Sequence, residues 1–325
     1  MKNLQKYILI LFFLNSCSEI YFGQNLENGN FSTKLDGLKI NYTIRGKGPI
    51  MIVGHPTSGK IGYELTLQPL EEKFTMVYFD SRGTGKSEAP QYLENYGYEF
   101  LVEEIEHLRK HLNINEIWLF AHSDQSSIAL QYAIDYPKNI SGLILTGTSF
   151  VENSKIKEEK VKSFEKYRIE QSNWFREVIN DWDYLHQNDY KVTKNKEGKD
   201  LTYTKLKWWC YNEETSQKVI PIYDEISKAG RQKEPQIAAT KQQQEINRNK
   251  IFERLYQYEK KYFLINTKIL ILNGKFDTNN PPELAKNLNK NLKNSTLIFV
   301  DEAGHFPWVE QPEKSFSEIF EWLKK

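Results

Sequence analysis

Residues 117–125 read IWLFAHSDQ. The apolar start is typical of a buried strand, and the pattern of residues 127–136 is that of a helix. Ser123 therefore stands where a strand turns sharply into a helix, and the small side chain of Ala121 suits such a turn. Gln125 departs from the glycine that is usual at its place in the turn. A serine that only caps the helix is the alternative interpretation.

Strand and helix patterns alternate on both sides of this turn. Short apolar runs predict strands at residues 50–53, 74–79, 140–146, 268–272 and 296–300, and helical spacing predicts helices at residues 61–70, 98–112, 282–292 and 313–323. Residues 40–44 alternate apolar and polar side chains, which indicates an antiparallel strand with one wet face. The order predicts an α/β fold, a mostly parallel central sheet flanked by helices.

The alternation stops between residues 150 and 263. Charged and aromatic residues mix there in helical stretches, such as 156–169 and 235–258, without strand-like runs. We therefore expect an inserted helical cap at residues 150–263, between two parts of one core at residues 25–149 and 264–325.

The N-terminus predicts an export signal. Lys2 and Lys6 precede an apolar run at residues 7–14 that is too short to span a bilayer as a mature helix. Residues 14–17, LNSC, resemble a bacterial lipobox. We expect a signal peptide over residues 1–16 and a lipidated Cys17 that anchors the chain to a membrane facing the periplasm or cell surface. Cleavage near residue 23, giving a soluble periplasmic or secreted protein, is the alternative.

Charge and cysteine content narrow the classes of partner. The 44 Lys and Arg residues nearly balance the 43 Asp and Glu residues, which leaves a net charge of +1. No general field therefore favours nucleic acid, and we expect a small-molecule or short-peptide partner. Cys17 and Cys210 are the only cysteines, so no internal disulfide framework is expected. The oligomeric state stays open.

A serine, an acid and a histidine follow predicted strands in that order. They are Ser123, Asp277 and His305. Because the carboxyl ends of parallel strands meet at one edge of a sheet, we expect the three side chains to converge. A histidine can take the proton of the serine hydroxyl while the carboxylate holds the histidine in the right tautomer. Asp301 is the competing carboxylate, but it lies too near His305 in sequence to come from the usual loop.

Two backbone N–H groups are candidates for an oxyanion hole. One belongs to Asp124, directly after the serine, and the other to Thr57, in the loop after the strand at residues 50–53. Pro56 has no N–H and cannot serve. The Asp124 carboxylate would oppose a negative transition state unless it points away or pairs with a cationic group of the substrate.

Residues 80–87, DSRGTGKS, closely resemble the D-x-R-G-x-G-x-S stretch of α/β hydrolases, especially those similar to proline iminopeptidase. With the loop at residues 54–56, the turn at Ser123 and the run GHFPWVEQP at residues 304–312, the resemblance extends from about Leu38 to Leu323. It implies the α/β-hydrolase fold with a helical cap, a triad of Ser123, Asp277 and His305, and no metal or organic cofactor.

The resemblance also suggests where substrate is held. Proline iminopeptidases usually carry an H-G-G-P-G loop and a G-G-S-W-G turn, whereas this chain has HPTSG at residues 55–59 and AHSDQ at residues 121–125. That family uses cap carboxylates to bind the substrate's free amino group. Four acids lie in a suitable segment of the predicted cap: Glu213, Glu214, Asp224 and Glu225. The candidates for substrate contact are His55, Trp208, Trp209, Glu213 and Glu214. Surface acids and core tryptophans are the alternative interpretation of the last four.

Three functions remain open on this basis. The first is a serine hydrolase that cleaves an ester or amide of a small molecule or short peptide through an acyl-enzyme, as a proline iminopeptidase-like protein would. The second is a carboxylesterase, which an apolar pocket rich in tryptophan would favour, whereas cap acids at the pocket would favour an aminopeptidase. The third is a non-catalytic binding protein that retains the fold. In an enzyme we expect the Ser123 hydroxyl within about 3 Å of a His305 ring nitrogen, with some looseness without substrate.

Overall fold

The computed structural model describes residues 26–148 and 154–325, so the predicted signal peptide and Cys17 lie outside the described residues. Within these ranges the strands form an eight-stranded sheet with the order β1-β2-β4-β3-β5-β6-β7-β8. The strands are β1 (Gly29–Leu35), β2 (Leu38–Gly46), β3 (Ile50–Val53), β4 (Thr75–Phe79), β5 (Ile117–His122), β6 (Ile140–Thr146), β7 (Lys268–Gly274) and β8 (Ser295–Val300).

The sheet is parallel except at one end. β1 and β2 form an antiparallel hairpin, and β2 pairs antiparallel with β4. The other neighbouring strands, from β4 through β3 to β8, are parallel. The mostly parallel sheet predicted from the sequence is confirmed. β1 was not predicted, because its alternating exposed residues include Ser32 and Lys34 and make a weak apolar pattern for an edge strand.

Helices cover both faces of the sheet and fill the interval between β6 and β7. The α-helices are α1 (Ile61–Thr66), α2 (Tyr98–His111), α3 (Asp124–Asp135), α4 (Ser154–Gln171), α5 (Asn173–Gln187), α6 (Thr204–Trp209), α7 (Glu213–Ala229), α8 (Lys241–Glu259), α9 (Pro282–Asn291), α10 (Pro307–Glu310) and α11 (Pro312–Leu323). α2, α3 and α9 pack on one face, and α1 and α11 on the other. α4 to α8 occupy the interval that the sequence predicts to be a cap, and residues 154–263 are called the cap below; Tyr258 of α8 also packs in the core with α2 and α3.

Two details of the helices differ from or extend the prediction. Residues 61–70 were expected to form one helix, but α1 ends at Thr66 and a 3-10 turn follows at Gln68–Glu72. Pro69 has no N–H to continue the α-helical ladder, which explains the break. No helix in the described part of the chain combines the length and apolarity that a bilayer span requires.

The loop after β4 is fixed by a buried ion pair. The backbone N–H of Arg82 donates to Glu104 Oε1 at 3.0 Å, and Arg82 Nε donates to Glu104 Oε2 at 3.0 Å. Both side chains are almost completely buried. Burial raises the pKa of Glu104, while Arg82 opposes that rise. The geometry of the loop therefore depends on α2, which supplies Glu104.

The Arg82–Glu104 pair predicts a large cost for losing one partner. Glu104→Ala leaves the buried guanidinium with only the partly exposed Asp36, 3.6 Å away, as a counter-charge, and should lower the free energy of unfolding by about 3 kcal/mol, measured by urea denaturation. Glu103→Ala, an exposed position on the same helix, should cost less than about 1 kcal/mol. Equal losses in the two variants would contradict this account of the loop.

Candidate active site

Ser123 sits in a strained turn between β5 and α3. Its backbone has φ 54° and ψ −126°, a conformation that residues with a side chain rarely adopt. The Ser123 N–H donates to the Thr146 carbonyl at the end of β6 (3.0 Å), which ties the turn to the sheet. Ala121 and Gln125 on either side are buried. The turn therefore accommodates Gln125 and directs Ser123 outward from the edge of the sheet.

Asp277 and His305 form a buried pair beside this turn. His305 Nδ1 donates to Asp277 Oδ2 at 2.9 Å, and both side chains are buried. The second carboxylate oxygen of Asp277 accepts the Asn280 N–H at 2.9 Å. Asp301, the alternative acid, lies at the surface and pairs with Lys275 and Lys314. The structure thus brings together His305 and the carboxylate after β7. In the neutral tautomer that donates from Nδ1, Nε2 is the acceptor of the ring.

Ser123 and His305 line the same cavity. Among the described residues, no hydrogen bond joins the Ser123 hydroxyl to the His305 ring. The hydrogen bond expected for an enzyme is therefore not formed in the structure. Such contacts are often long without substrate and tighten when it binds.

His122, directly before the serine, holds the loop of His305. Its Nε2 lies 3.1 Å from the His305 carbonyl oxygen, and its Nδ1 lies 3.3 Å from the Tyr63 hydroxyl. Burial lowers the pKa of His122, and the neighbouring His305 and His55 lower it further. A neutral ring fits both contacts, since it donates to the carbonyl and accepts from the tyrosine. His122 is thus a positioning residue that the sequence pattern did not assign.

Glu310 fixes the same loop from the other side. Its Oε1 accepts the N–H groups of Gly304 (3.0 Å) and Phe306 (3.1 Å), the two neighbours of His305. Its Oε2 accepts the Tyr211 N–H of the cap at 2.8 Å. Burial raises the pKa of Glu310, and these donors offset part of that rise. Glu310 stands in the GHFPWVEQP run that carries the family resemblance, which is the sequence signal that could have singled it out.

A cavity of about 350 Å³ lies between the sheet edge and the cap. Of the residues predicted to form the site, those that line it are His55, Thr57, Ser123, Asp124, Trp209 and His305. Asp277 stands behind His305, outside the lining. Four more aromatic residues complete the wall: Tyr63, Tyr223, Phe306 and Trp308. The cap contributes three cations to it: Lys157, Lys205 and Arg231.

The two predicted oxyanion donors both lie at the cavity, but they differ in their hydrogen bonding. Asp124 is the first residue of α3, so its N–H belongs to the positive end of a helix. The Thr57 N–H donates to His55 Nδ1 at 3.2 Å. Burial lowers the pKa of His55 to about 4, although Asp124 opposes this, and the neutral ring can accept at Nδ1. Thr57 must therefore share or exchange this bond to reach an oxyanion.

The remaining predicted substrate contacts lie away from the cavity lining. Glu213 accepts a hydrogen bond from Trp174 Nε1 and pairs with Lys207, and Glu214 is exposed. Trp208 donates to Glu165 at 2.7 Å within the cap. The two acids begin α7, where they are solvated or paired within the cap. No acid from the described part of the cap lines the cavity.

Comparison with known proteins identifies the family. The family model described as alpha/beta hydrolase fold matches residues 50–312, which is most of the chain. The chain belongs to the α/β-hydrolase family. This α/β hydrolase is 26% identical to a proline iminopeptidase of Clostridioides difficile (strain 630) over 295 residues, covering 88% of this chain and 95% of that protein. The resemblance derived from the sequence motifs is confirmed.

Solved structures agree on the fold of this α/β hydrolase. An alpha/beta fold family hydrolase from Bacillus anthracis str. Sterne superposes with a TM-score of 0.65 at 18% identity, covering 91% of this chain and 99% of that one. A thermophilic esterase from Thermogutta terrifontis superposes with a TM-score of 0.60 at 19% identity, covering 92% and 98%. Both similarities concern the fold.

The contacts of Glu310 predict a stability loss in Glu310→Gln. An amide offers one oxygen instead of two, so a buried N–H loses its acceptor, and the free energy of unfolding should fall by about 1–3 kcal/mol in urea denaturation. Glu313→Gln, at an exposed position of α11, is the matched control and should leave stability unchanged. An unchanged free energy of unfolding in Glu310→Gln would show that the Glu310 carboxylate does not support the loop.

The buried histidines predict that acid destabilises the fold. His55 and His122 have folded-state pKa values below those of the unfolded chain. Their contribution to the free energy of unfolding is therefore complete above the unfolded pKa of about 6.5, and it is lost as the pH falls toward the folded value. Each should remove about 1 kcal/mol between about pH 7 and about pH 5.5. Urea denaturation at the two pH values measures this, and His55→Asn should show a smaller decrease than the unsubstituted protein. If the free energy of unfolding falls by the same amount in His55→Asn as in the unsubstituted protein, His55 does not contribute to the acid destabilisation.

Proposed function

We propose that this protein is a serine hydrolase that cleaves an ester or amide of a small molecule or short peptide. The observation that carries the proposal is the strained turn of Ser123 beside the buried Asp277–His305 pair, at one cavity. A strained turn has an energetic cost of roughly 1–3 kcal/mol, which a binding protein with the same fold would have no reason to retain. The placement fits nucleophilic catalysis.

Each group has a role in the proposed reaction. Ser123 Oγ attacks the substrate carbonyl while His305 Nε2 accepts its proton, and that proton passes to the leaving group as the bond to it breaks. Water then attacks the acyl-enzyme with His305 again as base, which releases the acid and restores Ser123. Asp277 stabilises the positive charge on the ring. The Asp124 N–H, at the positive end of α3, stabilises the oxyanion.

The walls of the cavity favour an ester over a peptide with a free N-terminus. Its aromatic lining includes Trp209 and Trp308, as a carboxylesterase pocket would. The cap acids Glu213 and Glu214, which would hold an amino group, lie outside it. Asp124 is the carboxylate that could take their place, so proline iminopeptidase activity, named for relatives such as that of Clostridioides difficile, is the second candidate.

Labelling with a fluorophosphonate probe tests the nucleophile. The probe phosphonylates activated serines, so the unsubstituted protein should be labelled and Ser123→Ala should not. Asp277→Asn should slow ester hydrolysis by about 10³–10⁴-fold, because the ring loses its correct tautomer. Asp301→Asn removes the surface acid and should leave the rate unchanged.

A substrate panel then separates the candidates. It comprises 4-nitrophenyl esters and aminoacyl 4-nitroanilides that include the prolyl derivative. Faster turnover of the esters supports a carboxylesterase, and faster turnover of prolyl nitroanilide supports the iminopeptidase. A well-folded protein that is neither labelled nor active would contradict the hydrolase proposal and support a binding role.

A further inference from the structure

Three cations reach the cavity from three separate parts of the cap. Lys157 comes from α4, Lys205 from α6 and Arg231 from the segment after α7. Asp124 is the acidic residue among the described residues that line this space. Positive charge therefore exceeds negative charge around Ser123, in a chain whose overall charge is close to zero.

The three cations at the cavity have no acidic partner of their own among the described residues. Several other lysines of the cap are paired with acids: Lys160 with Glu283, Lys162 with Glu158, Lys199 with Asp181, Lys207 with Glu213 and Lys228 with Glu225. Lysines without such a pair, for example Lys166 and Lys250, are exposed to solvent. Within the described ranges, no carboxylate lies within 4.0 Å of the basic groups of Lys157, Lys205 or Arg231. The cap thus places three cations without a carboxylate partner at the cavity.

Aromatic rings support two of the three basic groups. Lys205 Nζ lies 5.0 Å from the centre of the Trp209 ring, and the Arg231 guanidinium lies 4.7 Å from the centre of the Tyr223 ring. Both rings line the cavity. Such cation–π contacts hold a basic group in place. Arg231 also hydrogen-bonds the Tyr223 side chain, which leaves the other donors of its guanidinium for a ligand.

The environment also makes the positive charges costly without a counter-ion. Burial lowers the pKa of Lys157, and Asp124 and Asp277 only partly offset this. Burial lowers the pKa of Lys205, and the charge of Arg231 lowers it further. An anionic group brought by a ligand would relieve both effects, because it pairs with cations that the protein leaves unpaired.

We infer that the substrate cleaved at Ser123 carries an anionic oxygen group, a carboxylate or a phosphate, that binds Lys157, Lys205 and Arg231 under the cap. This inference rests on the proposed hydrolase function and names its substrate class. The scissile carbonyl lies at Ser123 and the anion lies toward the cap. A substrate with a free cationic amino group in the same position would be repelled.

The test compares four 4-nitrophenyl esters whose acyl chains have the same length. Their acyl chains end in a carboxylate (the adipate half-ester), a phosphate, a methyl ester or a trimethylammonium group, and enzyme-free rates are subtracted. We expect kcat/KM for one or both anionic esters to exceed that of the methyl ester by about tenfold or more, with the cationic ester slowest. Added salt should reduce the difference. Comparison of the two anionic esters shows which group the site prefers.

Substitutions assign the preference to the three cations. Lys157→Met, Lys205→Met and Arg231→Gln should each reduce the ratio of anionic to methyl ester kcat/KM by about three- to tenfold. Lys228→Met removes an exposed cap lysine outside the cavity and should keep the ratio of the unsubstituted protein. Equal rates for anionic and methyl esters, or a ratio that none of the three substitutions changes, would overturn the inference while leaving the hydrolase proposal standing.

A binding measurement separates the two proposals if no ester is turned over. Calorimetry with Ser123→Ala and adipate reports anion binding without catalysis. Binding that weakens in the Ser123→Ala, Lys205→Met double variant would support the anion site even though the hydrolase proposal had failed. Absence of adipate and phosphate binding would overturn the anion site as well.

Discussion

The positive φ of Ser123 is the constraint on which the site depends. It exists because a buried parallel strand must turn into a helix within one residue, and the N–H bond to Thr146 holds that residue against the sheet. The strand order then places β7 beside β6 and β8 beside β7, all parallel, so the loops after them reach the same edge of the sheet. The strand order therefore places the Asp277–His305 pair next to Ser123. The packing of β5 and α3 offsets the strain at Ser123.

The sequence predicted the parts of the molecule that depend on local pattern. Continuous apolar runs identified β3 to β8, and the strand-turn-helix pattern identified the turn at Ser123. β1 was not predicted because a half-exposed edge strand needs no apolar run. The break after α1 was not predicted because Pro69 interrupts the α-helix despite the helical spacing of the apolar residues. Elements that are buried on both faces leave a clear signal, whereas elements at an edge or a break do not.

The charges at the cavity could not be predicted in the same way. Charged residues crowd the whole cap, and the sequence does not say which of them point inward. Glu213 and Glu214 were reasonable candidates by position, yet they begin a helix that turns them to its own surface. Lys205 and Arg231 become notable only because packing sets them over Trp209 and Tyr223 at the cavity wall. Tertiary packing, more than residue type, decides the polarity of this site.

The contacts of the His305 loop bear on how the cap can change in evolution. The His305 N–H donates to the Trp209 carbonyl, and Arg168 donates both to Thr278, next to Asp277, and to the Cys210 carbonyl. The cap thus supplies part of the scaffold that holds the core residues, in addition to the walls of the cavity. It is not a separable module: a cap transplanted from a relative would need to bring equivalents of Arg168 and of residues 209–211, or the histidine would lose its support. Changes of specificity by single substitutions within the existing cap avoid that requirement.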